Sequence, residues 1–223
     1  MAGVADSETN GALPKRPGMS ETVIDTEVLI CGGGPVGMAL AIELGGRGID
    51  CVLCERRIGS SLDPKAKFVN LATMSIARRW GIADLVRRSA PLPLDFPSNV
   101  VYSTGVNGYE IARIANAFFT DPEGSALFPE PALRTTQPSF ERSLLEHLLT
   151  LPSVTVLRGA ELESFAEVDG GIRAEVRFPA TNQRKTYRAN FLAGCDGARS
   201  KVRESLAIEM NGEWGVARSV GAV

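Results

Sequence analysis

With 223 residues, 44% of them apolar and 22% charged, the chain has the composition of an ordinary globular protein with room for one good-sized core. Its formal net charge of −2 gives no electrostatic ground for a nucleic-acid or anionic-membrane partner. No apolar run reaches the ~18 residues of a membrane-crossing helix.

Residues 1–22 are polar and carry Gly, Pro and Ser, with no apolar segment of the secretory kind. Asp6 and Glu8 argue against an organelle transit peptide, so a disordered tail is the expectation. From Thr26 to Arg57 the chain reads strand, glycine turn, helix, strand. Val28 to Cys31 suit a parallel strand buried on both faces. Gly32, Gly34 and Gly37 then form G-x-G-x-x-G. Gly32 permits the turn, Gly34 lets backbone approach a pyrophosphate, and Gly37 lets the helix pack close to the strand. The helix continues through Leu44, and its N-terminus favours an anion. A second strand, Ile49 to Cys54, ends at Glu55, 23 residues after Gly32. That is close to the ~20 expected of the acid that binds a dinucleotide ribose. The alternative is a glycine-rich turn in an unrelated α/β domain.

Cys51 and Cys54 make a C-x-x-C, but inside a strand residues three apart face opposite sides. With His147 the one histidine, no metal site is expected. The four cysteines read as buried thiols of a cytoplasmic protein.

A polar loop spans Ile58 to Lys67. Leu71, Met74, Ile76, Ala77 and Trp80 fall at helical spacing, with Gly81 closing the helix and a short helix over Ile82 to Arg88. Asn99 to Thr104 and Tyr109 to Ile114 flank Asn107-Gly108, a hairpin signal. Ala115 to Pro131 is irregular. Phe140, Leu144, Leu145 and Leu148 predict an amphipathic helix from about Ser139 to Leu151. Val154 to Leu157 is a strand. Ala160 to Val168, Gly171 to Arg177 and Arg184 to Arg188 form a small antiparallel meander, and Asn190 to Cys195 a separate buried strand. Asp196-Gly197 follows, with a helix starting near Ala198. The fold expected is α/β: a doubly wound dinucleotide domain over residues 23–207, interrupted by β-rich pieces at 96–134.

Three stretches together resemble the FAD-dependent aromatic hydroxylases of the para-hydroxybenzoate and phenol hydroxylase type. They are the Gly32 turn with Glu55, the helix beginning Thr136-Gln137 and continuing Phe140-Glu141, and Phe191 to Ser200 with its Asp-Gly-Ala-Arg-Ser core. Asp63 to Asp84 looks like the same family's flavin loop and following helix, and Val100 to Ile114 like a hairpin of its phenol and polyketide branches. The resemblance implies a Rossmann-like FAD-binding domain with inserted β-sheet pieces of a substrate domain, incomplete at the C-terminus, where 208–223 would begin that domain. It implies bound FAD, NAD(P)H as co-substrate, and a small phenolic or related aromatic substrate.

Carried over by residue, Gly32, Gly34, Pro35, Val36 and Gly37 would cradle the pyrophosphate. Glu55 would hold the ribose, Arg56 would lie against the adenine, and Gln137 would contact the flavin end. Asp196 and Gly197 would sit beside FAD and the nicotinamide path, with Arg199 and Arg203 nearby. Other readings remain open. Asp196 suits a helix cap, Gln137 a local backbone bond, and the two arginines a solvated helix face.

Lys65 stands where the family usually has arginine, keeping the charge but losing bidentate geometry, and Ala72 stands where an arginine is common. A third flavin motif and most of the substrate sheet do not occur before Val223. Three functions follow as candidates: the N-terminal portion of a monooxygenase, another flavin oxidoreductase (oxidase, reductase, halogenase) sharing this half, or a truncated non-catalytic remnant. A complementing C-terminal half or a homodimer would be the partner.

Overall fold

The computed structural model describes residues 23–59, 66–124, 126–213 and 215–216. The tail expected over residues 1–22, and Lys65, lie outside these.

In chain order the elements are β1 (Val23–Cys31), α1 (Pro35–Gly45), β2 (Cys51–Glu55), β3 (Phe68–Val69), α2 (Leu71–Arg79), α3 (Ala83–Ser89), β4 (Val100–Ser103), β5 (Glu110–Ile114), β6 (Leu133–Arg134), α4 (Gln137–Leu148), β7 (Val154–Arg158), β8 (Glu161–Val168), β9 (Gly171–Phe178), β10 (Gln183–Gly194) and α5 (Lys201–Ser205). A six-stranded sheet runs β7-β2-β1-β10-β9-β8. The β7, β2, β1 and β10 strands are parallel, and β10-β9-β8 are antiparallel. Two short ladders stand apart from it, β3 with β6 and β4 with β5.

Period-2 alternation along β1 and β2 divides the core in two. Ile30, Cys51 and Leu53 face a layer built from α1 to α4, with Met74, Val86, Leu144 and Leu148 fully buried in it. Leu29, Val52 and Cys54 face the other side, against Leu162, Val176, Tyr187 and Val202. Cys51 and Cys54 therefore point to opposite faces. Each fully buried aliphatic side chain here contributes roughly 1.5–3 kcal/mol relative to exposure.

Local signals explain the helix bounds. The Asn70 side chain accepts from the Thr73 N–H at 2.9 Å and starts α2. The Thr136 hydroxyl accepts from the Ser139 N–H and Pro138 occupies the first turn, so α4 begins at Gln137, two residues before the predicted start. Trp80 packs half-buried against the core and donates its indole N–H to Glu43 Oε1 at 2.9 Å, tying the end of α2 to α1. Ile76, placed on the buried face by periodicity, is exposed.

Two predicted strands, Arg184–Arg188 and Asn190–Cys195, are one. β10 pairs with β9 from Gln183 to Ala189 and with β1 from Thr186 to Gly194. The two ladders overlap, so the backbone never leaves the sheet, and the meander belongs to the main sheet. Nor is the carboxyl half of β10 fully buried: Phe191 is 68% exposed. The β4–β5 hairpin sits where Asn107-Gly108 placed its turn, and every residue of β5 is exposed. The β3–β6 ladder was not foreseen, being two residues per strand and too short for periodicity to show.

Candidate functional site

The carboxyl ends of β1, β2 and β10 converge. The Gly32 N–H donates to the Cys54 carbonyl at 2.8 Å and the Cys195 N–H to the Cys31 carbonyl at 2.7 Å. This brings Gly32, Glu55 and Asp196 together at the end of a parallel sheet where α/β proteins bind ligands. The glycines differ in what they do. Gly32 has φ +108°, and a Cβ there would lie 2.8 Å from the Asp196 nitrogen and closer still to the Cys195 carbonyl. A Cβ on Gly37 would run into the Gly32 carbonyl oxygen. At Gly34 a Cβ would meet nothing within 4 Å. Gly32 and Gly37 thus close the turn onto itself, while Gly34 leaves a face open. Pro35 opens α1, Val36 is exposed, and the first turn carries no acidic side chain to compete with an anion.

Glu55 turns toward this loop. Its Oε2 accepts from the Gly33 N–H at 2.8 Å, and its Oε1 from the N–H and Nε of Arg57 at 2.9 and 3.2 Å. Burial alone would raise this carboxyl. The Arg57 and Gly33 N–H groups and the Arg57 guanidinium outweigh it and hold Glu55 below its ordinary 4.5. Oε2 keeps acceptor capacity for a ribose hydroxyl. Arg56, named for the adenine, is exposed. The cation on Glu55 is Arg57, which sequence reading passed over although it stands two residues from the acid. A small cavity of about 30 Å³ adjoins it, lined by Gly33, Glu55, Arg57, Glu141 and Arg158.

Gln137 lies at the other end of the loop. It shares a cavity of about 150 Å³ with Pro35, Phe68 and Thr135. Its backbone N–H donates to the Ala66 carbonyl at 3.1 Å and its amide to Glu141 Oε1 at 2.7 Å. The Thr135 hydroxyl is buried with no hydrogen-bond partner among the described residues. It was not named from sequence, because nothing in a Thr-Thr pair tells which hydroxyl caps the helix and which is left over.

Asp196 is committed locally. Oδ1 accepts the Ser200 hydroxyl at 2.6 Å, and Oδ2 accepts the N–H groups of Lys201 and Val202 at 2.6 and 3.3 Å. The helix therefore starts at Lys201 with Ser200 as its cap, not near Ala198, because Gly197 at φ +86° first turns the chain. Arg199 falls in that turn, so it and Arg203 do not share a helix face. Arg203 donates to the Ala198 carbonyl at 2.9 Å and braces the turn.

Of the cysteines beneath the site, Cys31, Cys51 and Cys54 are buried and Cys195 is half-buried, and the hydrogen bond shared with Cys31 pulls Cys54 below the ordinary thiol value. Cys54 donates to the Ile30 carbonyl at 3.3 Å, hydrogen bonding with Cys54 and burial push Cys31 up, and burial pushes Cys51 up to about 11.

The residues fit an adenine dinucleotide. An open glycine face lies at a helix N-terminus, a carboxylate held below its ordinary value stands at the next strand end, and beside Gln137 lies the buried Thr135 hydroxyl, without a partner among the described residues. A family profile described as "FAD binding domain" matches residues 25–223. The chain is 33% identical over 195 residues to phenol 2-monooxygenase of a Pseudomonas species, covering 85% of this chain and 31% of that one. It is 31% identical over 213 residues to aklavinone 12-hydroxylase of Streptomyces peucetius, covering 92% and 42%. The crystal structure of the flavin-dependent monooxygenase PieE, in complex with FAD and substrate, superposes with a TM-score of 0.77 at 31% identity over 87% of this chain and 34% of that one. The chain thus spans about a third of the length of the relatives it matches. Its sequence, its sheet and its glycine turn agree, and the chain belongs to the FAD-binding-domain family of FAD-dependent aromatic monooxygenases.

Proposed function

We propose that this chain binds FAD and forms the cofactor-binding portion of an NAD(P)H-dependent monooxygenase that hydroxylates a phenolic or related aromatic compound. The observation that carries the reading is the open face at Gly34, bounded by the N-terminus of α1 on one side and by Glu55 on the other. Bound there, FAD would supply electron transfer from NAD(P)H and oxygen activation. The chain's own residues bind and orient. The N–H groups around Gly34 to Gly37 meet the pyrophosphate, the Glu55 carboxylate accepts a ribose hydroxyl, and Gln137 meets the flavin end. Lys65 is proposed as a charge partner in the flavin loop. Asp196 holds α5 and the Gly197 turn against Gly32, which makes it a positioning residue in this reading.

Residues 23–207 act as the FAD-binding unit, and 96–134 with 208–223 belong to the substrate side. A C-terminal half or a second copy would complete that side. The test is anaerobic mixing of the FAD-loaded chain with NADPH and, separately, NADH. Bleaching of the flavin absorbance by either supports the reading, and a bound flavin that neither nucleotide reduces overturns its NAD(P)H part.

A further inference from the structure

A further cavity, of about 170 Å³, is lined by residues of α2, α3 and β6 and of the segment from Pro93 to Ser98, and no ligand is assigned to it above. Its walls include Met74, Arg87, Phe96, Ser98, Thr120 and Arg134. Two observations mark it as more than a packing gap.

The first is charge. Arg87 is neutralised by Asp84, at 2.6 Å, and by the buried Glu130. Arg78 also pairs with Glu130, at 3.5 Å. Arg134 has no carboxylate among the described residues. Its guanidinium lies instead over the rings of Phe68 and Phe96, 5.5 and 5.8 Å from their centroids. Of the two arginines on the cavity wall, Arg87 is paired and Arg134 is the one left without a carboxylate among the described residues. A guanidinium with aromatic rings over its face keeps its N–H edge for an acceptor, and carboxylate matches that edge bidentately.

The second is an orphaned hydroxyl. Ser98 is 2% exposed, and its Oγ has no hydrogen-bond partner among the described residues. Its backbone is satisfied, the carbonyl accepting from the Ala117 N–H at 2.9 Å. Thr120, also on the cavity wall, gives its hydroxyl proton to the Ala117 carbonyl at 3.1 Å and keeps lone pairs free. A buried hydroxyl without a partner is costly, and a bound acceptor removes the cost.

We infer that this cavity is a binding site for a small organic carboxylate with a compact apolar body, its charge held by Arg134 and its second oxygen within reach of Ser98. The apolar body rests on Met74 and Phe96. The site stands independently of the cofactor reading, because none of its residues belongs to the glycine turn.

The test is isothermal titration of the 223-residue chain, without FAD, by cyclohexanecarboxylate and by its neutral analogue cyclohexylmethanol. Saturable binding of the carboxylate, at least about tenfold tighter than the alcohol, is expected. Arg134→Gln abolishes it and Ser98→Ala weakens it, with melting temperatures checked for both. Because Arg134→Gln could disturb the β3–β6 ladder, amide chemical shifts of the unmodified chain give a second readout. Carboxylate-specific shifts should centre on Phe96, Ser98 and Arg134. The inference fails if the carboxylate does not saturate, if the alcohol binds equally well, or if the shifts fall elsewhere. Omitting FAD keeps a negative result here separate from a failure to bind the cofactor.

Discussion

Gly34 and Gly37 are the same residue type three positions apart, and the structure gives them opposite work. A methyl at Gly37 meets the Gly32 carbonyl, so Gly37→Ala should lower stability by about 1–3 kcal/mol, read as a shift in the urea midpoint. A methyl at Gly34 meets nothing, so Gly34→Ala should melt within about 0.5 kcal/mol of the parent. It should nonetheless bind FAD about tenfold more weakly, because the methyl stands where the pyrophosphate approaches. Equal effects at the two positions would contradict this division. Glu55 adds a pH dependence. Its folded pKa is depressed, so its contribution is fully present above the ordinary 4.5 and is lost as pH falls through the lower folded value. The stability gap between the parent and Glu55→Gln should therefore be constant near neutrality and close in acid. A gap that widened as pH fell would show the carboxyl raised instead.

At the scale of elements, legibility followed the strength of local signals. The first strand, turn, helix and second strand were readable because period, glycine spacing and the terminal acid all agree. The hairpin was readable from Asn107-Gly108 between two β-rich segments. The single strand β10 was not, since Ala189 and Asn190 look like a break, while pairing with β1 carries the backbone straight through them. The start of α5 was misplaced for a related reason. Asp196 suits a cap for a helix starting at once, but Gly197 inserts a turn, and the carboxylate reaches forward to the N–H groups of Lys201 and Val202. Asp196→Ala should then free three donors at once and cost about 1–3 kcal/mol, with exchange protection lost first across Ser200 to Ser205. Unchanged protection there would mean that α5 is held by packing of Val202 and the Lys201 bond to the Leu162 carbonyl at 3.2 Å. Arg57 and Thr135 were missed because their roles depend on which atoms face each other in space, and sequence carries no sign of that.

Over the whole molecule, the main sheet and its helices bury two cores, while one region does not bury its apolar residues. Tyr102, Val106, Tyr109, Ile111 and Ile114 of the hairpin, with Phe118, Phe119 and Leu127 beyond it, are exposed. Apolar side chains left exposed along one stretch of chain favour an interaction surface or association between copies. The chain alone should therefore self-associate with rising concentration in light scattering. Paired Tyr109→Thr and Ile111→Thr changes should reduce that association without altering the core. A monodisperse monomer at all concentrations would contradict it.

The central claim, that these residues form an FAD site, is tested most directly by titrating the purified chain with FAD and following the flavin absorption and fluorescence. A saturable bound-flavin spectrum that weakens strongly in Glu55→Ala and in Gly34→Ala is the expected result. No saturable binding, or binding that both substitutions leave unchanged, would contradict it.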